Sequence, residues 1–263
     1  MRTWEEALKE HRAAVLAAGF KEENIVGIFT YGSQNYGVAT ETSDWDTKAI
    51  IVPSYEELVL RPPVSREIHL ENGEHCEVKD IREIVNMFKK QNINFLEILY
   101  TEYKWLNPIY KRQWEIYFEE NREIIIHYDT NKTVKSICGQ AIHTLKQNPT
   151  DGKKVANGLR LLRFLENFLA GVNYSDCIVL PEEERQRIIN LKTGKIMAFK
   201  SYSDNFIVKF DILRNTNFEK DEKQMQLIEK KMQEGIFAIF DIMVLRTMLK
   251  NKEKGKNKNE THI

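Results

Sequence analysis

The sequence predicts an α+β protein: a small mixed β-sheet with flanking helices, followed by a mainly helical region. Three observations predict it. Strand-like apolar runs cluster in the first third of the chain, helical periodicity dominates the rest, and Tyr128, Asp129, Thr130 and Asn131 interrupt the helical pattern between them. With 263 residues, 42% of them hydrophobic, the chain has ample apolar material for a core. The expected organisation is a first domain over 1–130, a helical domain over 131–250 and a disordered lysine-rich tail over 251–263.

The elements follow in order. Residues 3–19 read as an amphipathic helix, opened by a capping box between Thr3 and Glu6, with Trp4, Ala7, Leu8, Val15 and Ala18 as its apolar stripe. Residues 25–31 read as a buried strand ending in a polar turn at Gly32. A second strand is expected at 47–52, closed by Pro53, and a third at 75–79 after the turn signal Asn72-Gly73. Asp80 and Glu83 form a second capping-box pattern. Pro108 sits where a helix running to about His127 would start. Further helices are expected at 132–147, at 152–170 stopped by Gly171, at 182–192 after Pro181, and at 220–249. The stretch 201–218 follows no single pattern.

Composition narrows the function classes. Basic and acidic residues balance at 39 each, unlike a strongly basic nucleic-acid binder, although local basic patches remain compatible. Cys76, Cys138 and Cys177 are scattered, which fits neither a disulfide framework nor a zinc knuckle and suits a reducing, cytoplasmic location. The polar, acidic N-terminus does not read as a signal peptide, and no apolar run approaches the ~18 residues of a membrane span. The six histidines show no metal-ligand spacing and read as structural or exposed, His75 merely lying near the acidic residues.

The chemistry concentrates between Tyr31 and Val52. Asp44 and Asp46 stand two apart at the mouth of a strand, so alternation turns both carboxylates to one face. Such a pair repels unless a cation neutralises it, and hard oxygen ligands suit Mg²⁺, or Mn²⁺, which shares its shell with substrate phosphates. Gly32-Ser33 follows a buried strand and is expected to open a short helix. There glycine lets a phosphate approach, and the Ser33 hydroxyl and neighbouring N–H groups donate to it. Gly37 permits a second tight turn. Glu77, on the third strand, is the preferred third carboxylate; Asp80 is its rival but has a capping role. Lys48 continues the face of Asp46 and either reaches a phosphate or bridges to the acidic pair. Lys153, Lys154, Arg160 and Arg163 share one helix and could contact phosphate or form a solvated basic face. The aromatic residues between Tyr100 and Phe118 read as core rather than as a base-stacking platform.

Gly32-Ser33, Gly37 and Ser43 to Asp46 together resemble the signature of the DNA polymerase β-like nucleotidyltransferase superfamily. The likeness is closer to its bacterial and phage branch of predicted nucleotidyltransferases, related to RNA-repair-associated members. In that branch a segment similar to Val78–Arg82 leads into one similar to Gln91–Leu99, and Lys153–Gly171 is similar to a C-terminal helix. The resemblance covers about residues 25–105 well and fades beyond 171. One departure is Glu77, where the family usually has the shorter Asp.

The resemblance implies a nucleotidyltransferase core that transfers a nucleoside monophosphate from an NTP to an acceptor hydroxyl and releases pyrophosphate. It implies Asp44, Asp46 and Glu77 as ligands of two Mg²⁺ ions about 3.5–4 Å apart, with Gly32 and Ser33 on the phosphates. Lys48, Lys154 and Arg160 are the further nucleotide-binding candidates. An RNA end, tRNA included, is the acceptor the resemblance favours over a protein or a small molecule. The competing expectations are a catalytically silent nucleotide- or RNA-binding module and an antitoxin-like partner protein.

Overall fold

The computed structural model describes residues 2–260. The first helix, α1 (Trp4–Ala17), begins as expected: the Thr3 hydroxyl accepts the Glu6 N–H and the Glu6 carboxylate accepts the Thr3 N–H. Then β1 (Ile25–Tyr31) and β2 (Asp46–Ile51) pair antiparallel, with Tyr31 opposite Asp46, so the turn after β1 and the acidic stretch before β2 share one end of the sheet. A capped helix, α2 (Tyr55–Leu60), leads to β3 (Ser65–His69), which pairs antiparallel with β4 (His75–Asp80). β4 returns parallel to β2 with Lys48 opposite Glu77. Two short helices, α3 (Ile84–Lys89) and α4 (Ile93–Leu96), precede β5 (Lys104–Leu106), which closes the other edge against β1. The five-stranded mixed sheet runs β3-β4-β2-β1-β5.

Helices make up the rest: α5 (Lys111–Trp114), α6 (Arg122–Ile126), α7 (Thr130–Gln147), α8 (Gly152–Leu169), α9 (Tyr174–Ile178), α10 (Glu182–Lys192), α11 (Lys200–Asn215) and α12 (Glu222–Glu260). The fold is therefore α+β with a helical region after it. The long helix expected from Pro108 to His127 is broken: Pro108 lies in a turn, and a π-helical stretch over Glu115–Glu119 separates α5 from α6. Trp114 and Phe118 anchor that irregular stretch in the core, their rings packed at a tilt 4.7 Å apart. Residues 251–260, where a disordered tail is expected, carry helical backbone as the end of α12; 261–263 lie outside the described residues.

One apolar cluster spans the two regions, from Val26 and Phe29 on β1 through Trp114 to Leu161 on α8 and Ile239 on α12. One face of the sheet thus shares a core with the helices, while its other face buries a smaller cluster of Ile25, Ile28, Ala49, Cys76 and Val78 with Val15 of α1. All three cysteines are buried and free. Among the described residues no helix is long and apolar enough to cross a membrane.

Candidate functional site

Trp45 aims the two aspartates. Its ring packs against Trp4 at 5.6 Å and Tyr103 at 5.2 Å. Its indole N–H donates to the Arg2 carbonyl (3.2 Å) and its backbone N–H to Glu74 (2.9 Å). Glu74 is in turn held by Arg2 and by buried His11 at 3.1 Å. With Trp45 turned inward, Asp44 and Asp46 on either side of it line one cavity, as i, i+2 alternation requires. Burial pushes the Asp46 carboxyl above its ordinary range; the Asp44 charge adds to the push, and His75 opposes it.

His75 opens β4 beside this pair. Its Nδ1 lies 2.9 Å from Asp46 Oδ1 and its Nε2 2.7 Å from the Tyr31 hydroxyl. The tautomer that satisfies both contacts carries hydrogen on Nδ1, donates to Asp46 and accepts from Tyr31. Such a bond fixes one carboxylate oxygen and leaves the other to a ligand.

Gly32 takes a positive φ of 89°, which β1 needs in order to turn sharply into the loop. No helix opens there. The loop is a series of tight turns, closed by Asn35 N–H to Gly32 (3.0 Å) and Val38 N–H to Ser33 (3.2 Å). Tyr36 and Val38 are buried and root the loop in the core. The Gly32 N–H donates to the Glu97 carboxylate at 2.8 Å, so it is not free for a phosphate. Gly37 also has positive φ, 66°, and a Cβ there would stand 2.8 Å from the Arg185 guanidinium of α10. Further along, Lys192 of α10 donates to the Ser43 hydroxyl (2.8 Å) and to the Val38 carbonyl (3.3 Å). Helix α10 therefore clasps the loop leading to Asp44.

Loop and helices enclose a cavity of about 470 Å³ lined by Gly32, Ser33, Asp44 and Asp46 on one side and Lys153, Lys154, Arg160 and Lys192 on the other. Burial lowers the Lys192 ammonium below its ordinary range; the nearby Lys153 charge adds to this, and Asp44 opposes it. Two lysines crowd one another where an anion would relieve both. A larger cavity, about 620 Å³, opens between Phe20 and α12, but two of its acids are already engaged, Glu57 by Ser54 and Glu23 by Lys250.

Glu77 does not join the aspartates. Lys48 and Lys79 (2.7 Å) both bind its carboxylate. Burial raises that carboxyl, but the two lysines outweigh burial and hold it below its ordinary range. Lys48 reaches neither the cavity nor the acidic pair: it is buried between Glu77 and the Tyr31 ring, 3.9 Å from the ring centre. The physical reason is register, since Lys48 and Glu77 lie directly opposite on parallel neighbours and neutralise each other. Among the described residues no group of three or more His, Cys, Asp or Glu side chains could hold a metal ion. Asp80 caps Arg82 and pairs with its guanidinium (2.7 Å). Lys154 lines the cavity. Arg160 lines it too but is 5% exposed, with its guanidinium 3.6 Å over the Tyr36 ring and bonded to Asn157. Arg163 points elsewhere, to Glu166 (2.6 Å) and Glu184 (3.2 Å).

No protein-family model matches the chain, and among curated proteins none matches it at a significant level. Among solved structures, a nucleotidyltransferase-like protein from Exiguobacterium sibiricum 255-15 is similar at a TM-score of 0.31 and 10% identity, over 88% of this chain and 75% of that one. A likeness so slight says nothing of what this chain does.

Two residues that the sequence does not single out act at or under the cavity, Lys192 in its lining and Glu97 beneath the Gly32 turn, and His75, expected merely near the acids, bonds Asp46. Only Glu97 leaves a local signal, a lone acid inside the apolar run from Phe95 to Leu99. His75 and Lys192 acquire their place through contacts that span long sequence separations.

Proposed function

We propose that this chain is a metal-dependent nucleotidyltransferase, moving a nucleoside monophosphate from an NTP to an acceptor hydroxyl with release of pyrophosphate. The observation that carries the reading is one cavity holding two convergent carboxylates on one wall and a crowded set of lysines on the other. A magnesium-bound triphosphate presents the complementary charges: cation to Asp44 and Asp46, phosphates to Lys153, Lys154 and Lys192. Two carboxylates suffice for Mg²⁺, which keeps waters and takes the remaining ligands from phosphate, so the donor set fits. When bound, the ion would neutralise charge on the reacting phosphates.

The chain's own residues then divide the work. Asp44 and Asp46 hold the ion, and His75 orients Asp46 through Nδ1. The lysines fix the phosphates for in-line attack, so catalysis rests on positioning and electrostatics rather than on a covalent intermediate. Ser33, which also lines the cavity, has a hydroxyl that can donate to a phosphate. Glu77 serves as the counter-ion of Lys48. An RNA end is the acceptor favoured by the sequence resemblance. A second reading, a silent nucleotide-binding module, is favoured by the lack of a three-ligand metal group among the described residues.

The test is to incubate the protein with each labelled NTP, Mg²⁺ or Mn²⁺ and a cell extract, and to follow label into RNA, protein and small molecules. Transfer with pyrophosphate release supports the enzyme. NTP binding without either product supports the silent module.

A further inference from the structure

Beneath the Gly32–Tyr36 turn lies a buried polar cluster that the proposed chemistry does not use. Glu97 is fully buried and accepts the Gly32 N–H at 2.8 Å through Oε2, with the Asn35 amide 3.5 Å from the same oxygen. Asn35 in turn donates to the Thr30 carbonyl (3.0 Å) and accepts the Thr101 hydroxyl (2.7 Å). At the other end of the turn, Arg160 of α8 lies against the Tyr36 ring. Glu97 and Arg160 are each other's principal charged influence. One carboxylate oxygen, Glu97 Oε1, and one guanidinium nitrogen, Arg160 Nη1, are buried without a hydrogen-bond partner, as are the Tyr36 and Tyr174 hydroxyls.

Stability alone does not account for this arrangement. Apolar residues of similar volume usually serve a core as well as buried charged side chains or better, and unsatisfied buried polar atoms add a further cost. What the two side chains share is the turn: Glu97 holds it at residues 32 and 35, and Arg160 packs on residue 36. We propose that Glu97 and Arg160 are a positioning pair that sets the Gly32–Ser33 turn, the turn being held tightly when Glu97 is ionised and loosely when it is protonated. Its consequence for nucleotide binding rests on reading this cavity as the nucleotidyltransferase site.

The groups facing Glu97 are the Gly32 amide and the Asn35 carboxamide from the turn, Tyr31 from β1, Arg160 from α8 and Tyr174 from α9. Burial pushes the Glu97 carboxyl up to about 7, with Arg160 and the Gly32 amide opposing. The ionised form carries full charge toward the Gly32 N–H, and charge-assisted bonds of this kind are roughly twice as strong as neutral ones. Mild acidification therefore loosens the turn. Glu97→Gln keeps an acceptor for Gly32 but removes the charge, and so mimics the acid form at every pH.

The chain has 12 glycines, so protein labelled with ¹⁵N-glycine gives a sparse amide spectrum in which Gly32 can be followed. In the wild type the Gly32 resonance is expected to move through one inflection near pH 7, and in Glu97→Gln to stay at the acid limit. In parallel, each NTP with Mg²⁺ is titrated about one pH unit either side of that inflection. Affinity should rise about tenfold from the acid to the alkaline side in the wild type, the size of one pKa unit of differential interaction, and be flat in Glu97→Gln. A Gly32 resonance with no inflection, or one with the same inflection in both proteins, overturns the proposal. So does NTP affinity that is unchanged across the inflection. The Gly32 inflection without NTP binding at any pH sustains the pair's hold on the turn and removes the nucleotidyltransferase reading above it. Should Glu97→Gln not fold, the wild-type titration still decides, and Arg160→Gln, which removes the opposing cation, should raise the inflection.

Discussion

On β4 the Glu77 carboxylate is closed off by two lysines of its own sheet, whereas Asp44 and Asp46, at the mouth of neighbouring β2, face lysines carried by α8 and α10. All three acids stand at positions where alternation and register make their direction legible. They differ in what neutralises them. Glu77 meets its counter-ions by strand register, at contact distance, and the charges cancel inside the fold. The aspartates and the lysines of α8 and α10 line one cavity and, among the described residues, form no salt bridge with each other, Lys192 being tied to Ser43 beside Asp44. Charges that cancel within a sheet leave nothing for a ligand, and charges left unpaired leave room for one that bears both signs.

The largest break in this comparison comes from the aspartates. Asp44→Asn or Asp46→Asn should lower transfer about a thousandfold, the rate factor of ~4 kcal/mol of lost charge stabilisation, with thermal stability unchanged or raised by relief of repulsion. Steady-state kinetics beside thermal unfolding would check both halves.

Next in size is a pH effect that separates Glu97 from Glu77. A carboxyl whose folded pKa lies above its ordinary 4.5, as at Glu97, binds more protons folded than unfolded, so its stabilising contribution is present at low pH and is lost as pH rises toward about 7. The wild type should therefore lose on the order of 3 kcal/mol relative to Glu97→Gln between those limits, measured by denaturant unfolding across pH. Glu77, held below its ordinary range, has the opposite sign: its contribution is present above that range and is lost as pH falls.

Glu77→Gln leaves Lys48 buried without its counter-ion and should cost about 2–3 kcal/mol, read from chemical unfolding, while transfer falls far less than in the aspartate variants. Adding Lys48→Met should recover most of that loss, because removing both charges abolishes the pair without stranding either member. A Glu77→Gln protein that folds normally but is as inactive as Asp44→Asn would instead place Glu77 among the metal ligands. On the other wall, Lys192→Ala should raise the NTP KM about tenfold with a smaller change in kcat, as expected when a phosphate contact formed in the ground state is lost.

What the sequence revealed, and what it hid, follows from how local each signal is. β1, β2 and β4 were legible because buried apolar runs and alternation mark them, and α1, α7, α8 and α10 because caps and stops bound their periodicity. β3 leaves no signal because Ser65–His69 is an exposed edge with no alternation to read, and β5 because it has only three residues. Residues 201–218 hid α11 because Val208 and Ile212 face outward, blurring the stripe. At the site, the Asp44–Asp46 pair announces itself within three residues. The bond from Gly32 to Glu97 spans 65 positions and that from Lys192 to Ser43 spans 149, separations at which no local pattern survives. Lys48 and Glu77 each stand out in the sequence, but their pairing depends on the parallel register of β2 and β4, which no local pattern encodes.

The most direct measurement is a matched assay of wild type and Asp46→Asn with α-labelled NTPs, Mg²⁺ and extract RNA, scoring both labelled acceptor and released pyrophosphate. Label and pyrophosphate from the wild type, with neither from the variant, is the predicted result. Equal transfer by the two proteins would contradict the assignment of Asp46 to the chemistry.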